Sequence, residues 1–292
     1  MNKILLKIRK RILRAIDKHQ LTKYQANYFY QKSLKKHLLS LPTLPPYHSN
    51  LLRIINKEGV AITTLDKLGI TSSSDIFTSA QSLMFKISQN TSYDPNQFVI
   101  HATPQQIIEY QEIFLWGLDQ DLLNLIENFL GLPVAYQGIY FRRDIANQLE
   151  IGSRLWHIDQ EDRKVLKIII YLNDVNEDNG PFQYIPKYLT SEIEQSLQYR
   201  TGYVRDNVMQ GVTSSEVYKS CTGIAKTVII ADTSSIFHRG KPPINTDRFT
   251  IFYDYTSRRH KQAFHGTSIL AYSDLHILSK NLSEKQKRCI FW

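Results

Sequence analysis

The hydrophobic pattern of the chain changes near residue 134. Before this point apolar residues recur every three or four positions, as in helices, and after it they form short continuous or alternating runs, as in strands. The predicted helices lie at 51–57, 76–87 and 104–130. The predicted strands lie at 59–62, 134–143, 154–159, 165–173, 182–185, 227–231 and 248–255. Helices followed by strands predict an α+β fold with a mainly β core, an antiparallel double-sheet jelly roll buttressed by helices.

The first 45 residues differ from the rest of the chain in charge. They contain eleven Lys and Arg residues and one acidic residue, whereas the remainder contains 25 basic and 26 acidic residues. The apolar residues of this segment recur at helical spacing, at Ile4, Leu5, Ile8, Ile12, Leu13 and Ile16. A proline-rich run at 41–46 then interrupts the helical pattern. We therefore predict a basic helical extension at 1–45 and one larger domain at 46–292.

Two interpretations of this extension remain open. A basic amphipathic helix can lie on an anionic membrane surface, where each nearby Lys or Arg contributes on the order of 1 kcal/mol. In the other interpretation, which the pattern favours, the apolar stripe packs on the larger domain and the charges are solvated. We expect no nucleic-acid partner, because the basic face lacks interleaved aromatic residues and no DNA-reading motif is present.

The composition is that of a globular protein. Of the 292 residues, 42% are hydrophobic and 22% are charged. No apolar run reaches the roughly 18 residues that a spanning helix needs. The two cysteines, Cys221 and Cys289, fit a reducing compartment, so we expect a cytoplasmic protein that contacts membranes peripherally at most. Neither a glycine-rich phosphate loop nor a nucleophile elbow occurs, which leaves Rossmann-type hydride transfer and serine hydrolysis unsupported.

The residues that most clearly indicate a chemical function are His157, Asp159, His238 and Arg248. Two imidazoles and one carboxylate, with no cysteine nearby, are the ligands of the facial triad that binds Fe(II) in non-heme oxygenases. His157 and Asp159 are separated by one residue, so on a strand both side chains would leave the same face. Arg248 carries a planar, permanently charged guanidinium that can hold a carboxylate through two parallel hydrogen bonds.

The flanking sequence resembles the phytanoyl-CoA dioxygenase-like branch of the Fe(II)/2-oxoglutarate-dependent oxygenases. The resemblance covers roughly residues 50–258 in order. Its specific motifs are Trp156-His157-Ile158-Asp159, then Asn173-Asp174-Val175, then Asn179-Gly180-Pro181-Phe182 with Ile185-Pro186, and finally Phe237-His238-Arg239-Gly240 followed by Asp247-Arg248-Phe249-Thr250. One departure is the run Lys187-Tyr188-Leu189, which stands where relatives often have a Gly-Ser-His turn. The substrate rim is therefore expected to differ.

The resemblance implies the roles of six residues. It implies a double-stranded β-helix in which His157, Asp159 and His238 bind Fe(II). It further implies that 2-oxoglutarate chelates the metal, that Arg248 and Thr250 hold its distal carboxylate, and that O2 completes the site. By position, Lys167 is a further candidate cosubstrate contact. Tyr140 and Arg142 precede the first motif and could reach the cosubstrate or the substrate.

We therefore expect an enzyme that hydroxylates an unactivated C–H bond of a small-molecule or lipid-like substrate with release of succinate and CO2. Desaturation, cyclisation and epimerisation use the same ligands, so they remain alternatives. A metal-dependent cupin-type enzyme without 2-oxoglutarate is a second alternative, against which Arg248 argues. A third is a catalytically silent relative that binds a membrane or a partner, and the intact ligand set argues against it.

Overall fold

The computed structural model describes residues 20–89, 94, 96–258 and 270–292. The chain divides into two compact units after Pro42. In the first unit, helix α1 comprises Gln20–Leu38. The apolar residues from Ile4 to Ile16 lie outside the described residues, so the role of the basic extension stays a prediction. None of the described helices is both long enough and apolar enough to cross a membrane.

The second unit begins with most of its helices. They are α2 (Pro46–Glu58), α3 (Leu65–Leu68), α4 (Ser73–Ser88), α5 (Pro104–Glu109), α6 (Gln111–Trp116), α7 (Gln120–Leu130), α8 (Thr190–Ser196), α9 (Asp206–Gln210), α10 (Tyr272–Leu278) and α11 (Glu284–Ile290). Helix α2 starts with Pro46 in its first turn, where the missing N–H is not needed, and ends at Gly59 with a φ of 85°. Its buried face presents Leu51 and Ile55 to the core. The predicted helices at 51–57, 76–87 and 104–130 are thus confirmed, the last as three short helices.

The strands of this unit form two antiparallel sheets. They are β1 (Val60–Thr64), β2 (Val99–His101), β3 (Val134–Asp144), β4 (Leu166–Tyr171), β5 (Phe182–Tyr184), β6 (Lys219–Cys221), β7 (Thr227–Asp232), β8 (His238–Gly240) and β9 (Arg248–Ser257). The larger sheet has the order β1-β7-β4-β9-β3-β2, and the smaller has the order β6-β5-β8. Neighbouring strands run antiparallel throughout both. The predicted combination of helices with an antiparallel β core is confirmed.

The larger sheet packs against the helices through one of its faces. Side chains alternate along a strand, so every second residue points to this face. Ile168 and Ile170 of β4 and Tyr253 of β9 are completely buried in one cluster with Leu122 and Ile126 of α7. Burying a side chain of this size contributes about 1.5–3 kcal/mol, which makes this helix-covered layer the main source of stability.

The opposite face of the larger sheet looks towards the smaller sheet. Three residues of β4 lie directly across from three residues of β9 on this face, in the pairs Lys167–Asp254, Ile169–Phe252 and Tyr171–Thr250. Tyr171 links the two sheets, because its hydroxyl donates to the carbonyl of Cys221 at 2.7 Å and accepts from the amide of Phe182 at 2.9 Å. Charged residues are therefore carried into the space between the sheets by strands whose other face is apolar.

One predicted strand, at 154–159, is wrong. A short 3-10 turn occupies Gly152–Arg154, and only isolated bridges follow it. Trp156 pairs with Val204, whereas His157 pairs with His238. Because these two consecutive residues pair with different segments of the chain, no continuous ladder can form.

Candidate metal centre

His157, Asp159 and His238 converge although they come from different parts of the chain. His157 and His238 exchange both backbone hydrogen bonds, at 3.1 and 3.0 Å, and the amide of Asp159 donates to the carbonyl of Thr233 at 3.0 Å. The three side chains each offer a ligand atom, and these atoms lie within 4.8 Å of one another. Nε2 of each histidine is 3.6 Å from a carboxylate oxygen of Asp159. All three residues are buried. His238 begins β8, whereas His157 and Asp159 lie outside the regular strands and are positioned by these backbone hydrogen bonds.

Both histidines are held with Nε2 directed at this centre. Nδ1 of His157 lies 2.8 Å from the carbonyl oxygen of Leu155, and Nδ1 of His238 lies 3.2 Å from that of Ile236. A carbonyl only accepts, so each Nδ1 carries the proton and each neutral ring keeps a lone pair on Nε2. Burial lowers the pKa of His157, and burial together with the neighbouring His157 ring lowers the pKa of His238 to about 3. The rings are therefore neutral near pH 7, as metal ligands must be.

Asp159 is paired with Lys167. The Nζ atom of Lys167 lies 2.7 Å from Oδ2 of Asp159. Burial alone raises the pKa of Asp159, but Lys167 and the two histidines together lower it well below its usual range. Burial lowers the pKa of Lys167, but three carboxylates, Asp159, Asp254 and Glu161, outweigh burial and raise it. Asp159 is thus ionised and available to a cation.

Arg248 lies at the start of β9 and is almost completely buried, with 2% of its surface exposed. Its Nη2 is 3.0 Å from Oδ2 of Asp144, which lies directly opposite on β3, and its Nη1 donates to the carbonyl of Gly180. Asp144 also pairs with Arg142. Burial raises the pKa of Asp144, but the two guanidiniums outweigh it and lower the pKa to about 2. Two arginines therefore share a single carboxylate, which leaves one positive charge for another anion.

Thr250 lies next to Arg248 on the same strand face. Its side chain is completely buried, and Oγ1 has no hydrogen-bond partner among the described residues. Nε of Arg248 is likewise unpartnered within the described chain. Leaving buried polar atoms unpaired costs free energy, so donors that remain unsatisfied beside a spare positive charge favour a bound carboxylate.

A cavity of about 230 Å³ joins the metal centre to Arg248. Its walls come from β3, β4 and β9 of the larger sheet and from β5 and β8 of the smaller. The residues that line it are His101, Gln137, Tyr140, Arg142, Ser153, His157, Glu161, Val165, Lys167, Ile169, Tyr171, Phe182, His238, Gly240, Arg248, Phe252, Asp254 and Thr256. Apolar walls with a few converging charged groups are typical of sites that bind small molecules.

Two carboxylates lie in the cavity apart from the triad. Oδ1 of Asp254 and Oε2 of Glu161 are buried without a hydrogen-bond partner among the residues that the structure describes. Burial raises the pKa of Asp254 to about 6, with Asp159 and Glu161 adding to the rise and Lys167 opposing it. Burial and Asp159 also raise the pKa of Glu161. Neither side chain contacts a cation among the described residues, although Lys167 lies close enough to oppose both rises in pKa.

The structure thus brings together the residues that the sequence singled out for metal binding. Arg248 lies at one end of the cavity and shares its strand face with Thr250, which is not among the residues that line the cavity, whereas Lys167 lies opposite Asp254, six residues along β9 from Arg248. A cosubstrate role for Lys167 remains a prediction. Asp144, Glu161 and Asp254 were missed by sequence reasoning. For Asp254 a signal existed, because Arg248, Thr250 and Asp254 alternate on one strand with period two.

No family model matches this chain, and a search of curated proteins finds no match. Solved structures do resemble it. HygX from Streptomyces hygroscopicus, with nickel and 2-oxoglutarate bound, aligns with a TM-score of 0.50 at 13% identity over 75% of this chain and 89% of HygX. At this identity the likeness shows a shared fold only.

Two further solved structures align less well. EctD from S. alaskensis, with 2-oxoglutarate and 5-hydroxyectoine, gives a TM-score of 0.49 at 16% identity, over 72% of this chain and 76% of EctD. The epimerase SnoN from nogalamycin biosynthesis gives 0.48 at 10% identity, over 72% of this chain and 82% of SnoN.

Proposed function

We propose that this protein is an Fe(II)- and 2-oxoglutarate-dependent oxygenase of the phytanoyl-CoA dioxygenase-like type, with a double-stranded β-helix as its core. The observation that carries the proposal is the arrangement of one cavity. A buried His-Asp-His set lies at its centre, and the buried Arg248 with a spare positive charge lies at one end. HygX, whose fold this chain shares, was solved with nickel and 2-oxoglutarate bound.

The residues present fit a divalent iron ion. Two neutral imidazoles with Nε2 directed inwards and one ionised carboxylate supply three ligands of the types and number found in non-heme Fe(II) oxygenases. The backbone carbonyls of Leu155 and Ile236 fix the orientation of the rings. We propose that His157, Asp159 and His238 hold the metal.

The other end of the cavity fits the cosubstrate. Arg248 and the unpartnered hydroxyl of Thr250 suit the distal carboxylate of 2-oxoglutarate, and Gly180 and Asp144 hold the guanidinium in place. Gly240 allows this arrangement, because a Cβ atom there would lie 2.8 Å from Nη2 of Arg248. An anchored carboxylate at this point explains why an arginine is buried beside the metal centre.

Bound iron and 2-oxoglutarate supply the oxidising chemistry: one oxygen atom of O2 enters succinate, which forms with CO2, and the other enters the substrate as a hydroxyl group. The share of the protein is to orient the substrate C–H bond and to exclude water. The apolar side chains of Ile169, Phe182 and Phe252 line the cavity and serve that exclusion. We propose hydroxylation of a small-molecule substrate as the reaction.

Anaerobic calorimetry with Fe(II), followed by 2-oxoglutarate, tests this function, with succinate measured by mass spectrometry after O2 is admitted. His157→Ala, Asp159→Ala and His238→Ala should each abolish Fe(II) binding and succinate formation, because a three-ligand site has no spare donor. His276→Ala, which removes an exposed histidine of α10, is the matched control and should bind iron like the parent. Undiminished Fe(II) affinity in any triad variant would remove that residue from the metal site.

A further inference from the structure

The cavity is charged differently at its two ends. At one end Arg142 and Arg248 share Asp144, so a single positive charge remains for the cosubstrate. The other end contains Lys167, Glu161 and Asp254 near the metal centre. Asp254 is six residues along β9 from Arg248, so their Cα atoms are about 20 Å apart at 3.3 Å per residue, and the metal centre lies between the two ends.

The lysine cannot neutralise the acidic end of the cavity. Its ammonium group lies 2.7 Å from Asp159, and neither Glu161 nor Asp254 forms an ion pair among the described residues. Lys167 faces three carboxylates and contacts only Asp159, so the formal charges of these four side chains sum to −2 when all three carboxylates are ionised. A buried polar atom without a partner is costly, so the unpartnered carboxylate oxygens of Glu161 and Asp254 point to a cationic ligand.

Binding of the metal ion and the cosubstrate does not remove the excess negative charge. This step rests on the proposed function. A divalent metal ion adds two positive charges at the acidic end, and the metal-binding 2-oxo acid of the cosubstrate adds one negative charge. One negative charge then remains unbalanced at this end of the cavity. The distal carboxylate of the cosubstrate balances the charge at Arg248 and leaves the acidic end as it is.

We propose that Glu161 and Asp254 bind a primary ammonium group of the substrate. The unpartnered oxygens of the two side chains would accept its hydrogen bonds, and its charge would complete the balance of the loaded site. Gln137 and Thr256 lie on the same wall and are already bonded to each other at 2.6 Å, so they offer no competing charge. The substrate is therefore an amine that fits the part of the cavity of about 230 Å³ that the cosubstrate leaves open, and a fatty acyl chain with an anionic head does not fit this charge pattern.

Matched probes test this assignment. Cyclohexylamine, cyclohexanol and cyclohexanecarboxylate share one ring and carry a cationic, a neutral and an anionic polar group, respectively. We expect the amine to bind about tenfold to a hundredfold more tightly than the alcohol, since hydrogen bonds to charged groups contribute about that much, and the carboxylate to bind least. Saturation-transfer NMR and calorimetry measure these affinities, both in the metal-free protein and in the protein loaded anaerobically with Fe(II) and 2-oxoglutarate.

Variants then locate the binding site. Asp254→Asn combined with Glu161→Gln keeps the size of both side chains and should remove the preference for the amine. Glu216→Gln removes one exposed acidic charge outside the cavity and should leave the preference intact. Equal binding of amine and alcohol to the parent protein, or a preference that survives the double substitution, would overturn the inference.

The two proposals fail separately. A parent protein that binds neither Fe(II) nor 2-oxoglutarate contradicts the proposed function. The preference for the amine in the metal-free protein still decides the role of Glu161 and Asp254, because the acidic end has its excess charge without the metal.

Discussion

Arg248→Ala would remove the guanidinium that Asp144 and the carbonyl of Gly180 hold in place. The substitution has two consequences, and their sizes can be judged separately. It removes the proposed anchor of the 2-oxoglutarate carboxylate, and it takes one of two cationic partners from a carboxylate that is completely buried. The substitution leaves the proposed metal ligands in place, so Fe(II) should still bind.

The loss of cosubstrate affinity should be large. Truncating one side of a buried, hydrogen-bonded charge pair costs about 2–5 kcal/mol, or roughly thirtyfold to several thousandfold in Kd. Arg248→Lys should recover only part of this, because an ammonium group does not reproduce the planar fork. The Kd for 2-oxoglutarate is measured by calorimetry in the presence of Fe(II) without O2.

The loss of stability should lie at the low end of the range for a broken buried pair, because Asp144 keeps Arg142. The pKa of Asp144 is about 2, against an ordinary 3.8. This difference corresponds to a net stabilisation of about 2 kcal/mol, in which the two arginines outweigh the effect of burial. This contribution is present above pH 4 and is lost as the pH falls from about 4 to about 2. We expect Arg248→Ala to lower the free energy of unfolding by about 3 kcal/mol, at the low end for a broken buried pair. The melting temperature should then fall by roughly 6–12 °C.

A second substitution separates the two effects. Arg248→Ala with Asp144→Asn no longer leaves a poorly paired buried charge, so part of the stability should return while the cosubstrate affinity stays low. Thermal unfolding and calorimetry on the same samples decide the matter. If Arg248→Ala binds 2-oxoglutarate as tightly as the parent, the cosubstrate assignment is wrong and the cupin-type alternative gains support.

Two further predictions concern single residues around the cavity. The pKa of Asp254 is raised to about 6 in the folded protein from an ordinary 3.8, so stability should fall as the pH rises from about 4 to 6. Asp254→Asn should therefore raise the melting temperature more at pH 8 than at pH 4. Equal increases in melting temperature at the two pH values would contradict this. Gly180 has a φ of 71°, and a Cβ there would collide with Lys241 and Pro243, so Gly180→Ala should displace the carbonyl that holds Arg248 and weaken 2-oxoglutarate binding. Gly69 has a φ of 70° and open space around it, so Gly69→Ala is the matched control. It should cost only about 1–2 kcal/mol of backbone strain and leave 2-oxoglutarate binding unchanged. Similar affinities of the two variants for 2-oxoglutarate would refute the role of Gly180.

The proposed metal ligands could be identified from the sequence because their chemistry depends on residue type and order. His157, Asp159 and His238 converge as expected, yet the expected reason for the first two was incorrect. They do not share the face of a strand. The bridge between His157 and His238 and the hydrogen bond from Asp159 to Thr233 bring them together. Such pairings join segments about 80 residues apart, and a local pattern contains no information about them.

The charged wall of the cavity was harder to predict for a related reason. Lys167 could be recognised as an unusual charge within an apolar strand, but its partner Asp159 follows from tertiary structure alone. Asp144 lies opposite Arg248 through the register of β3 against β9, which includes a shift between Tyr136 and Gly138. A shift of one residue moves every later side chain to the other face, so the pairing of Asp144 with Arg248 depends on an irregularity that the sequence does not mark.

The energetics of the two sheet faces support a functional interpretation of the charges between the sheets. On the helix side, Ile168, Ile170 and Tyr253 are completely buried and each stabilises the fold. On the cavity side, Asp254 is held at a raised pKa, and Thr250 and Glu161 keep buried atoms without partners among the described residues. Each of these costs stability in the absence of a ligand, and apolar residues would fit the strand positions of Thr250 and Asp254 more favourably. One face of these strands therefore stabilises the fold, and the other lowers its stability until ligands bind. This is expected where bound ligands supply the missing hydrogen-bond and charge partners, and here we propose that the metal, the cosubstrate and an amine do so.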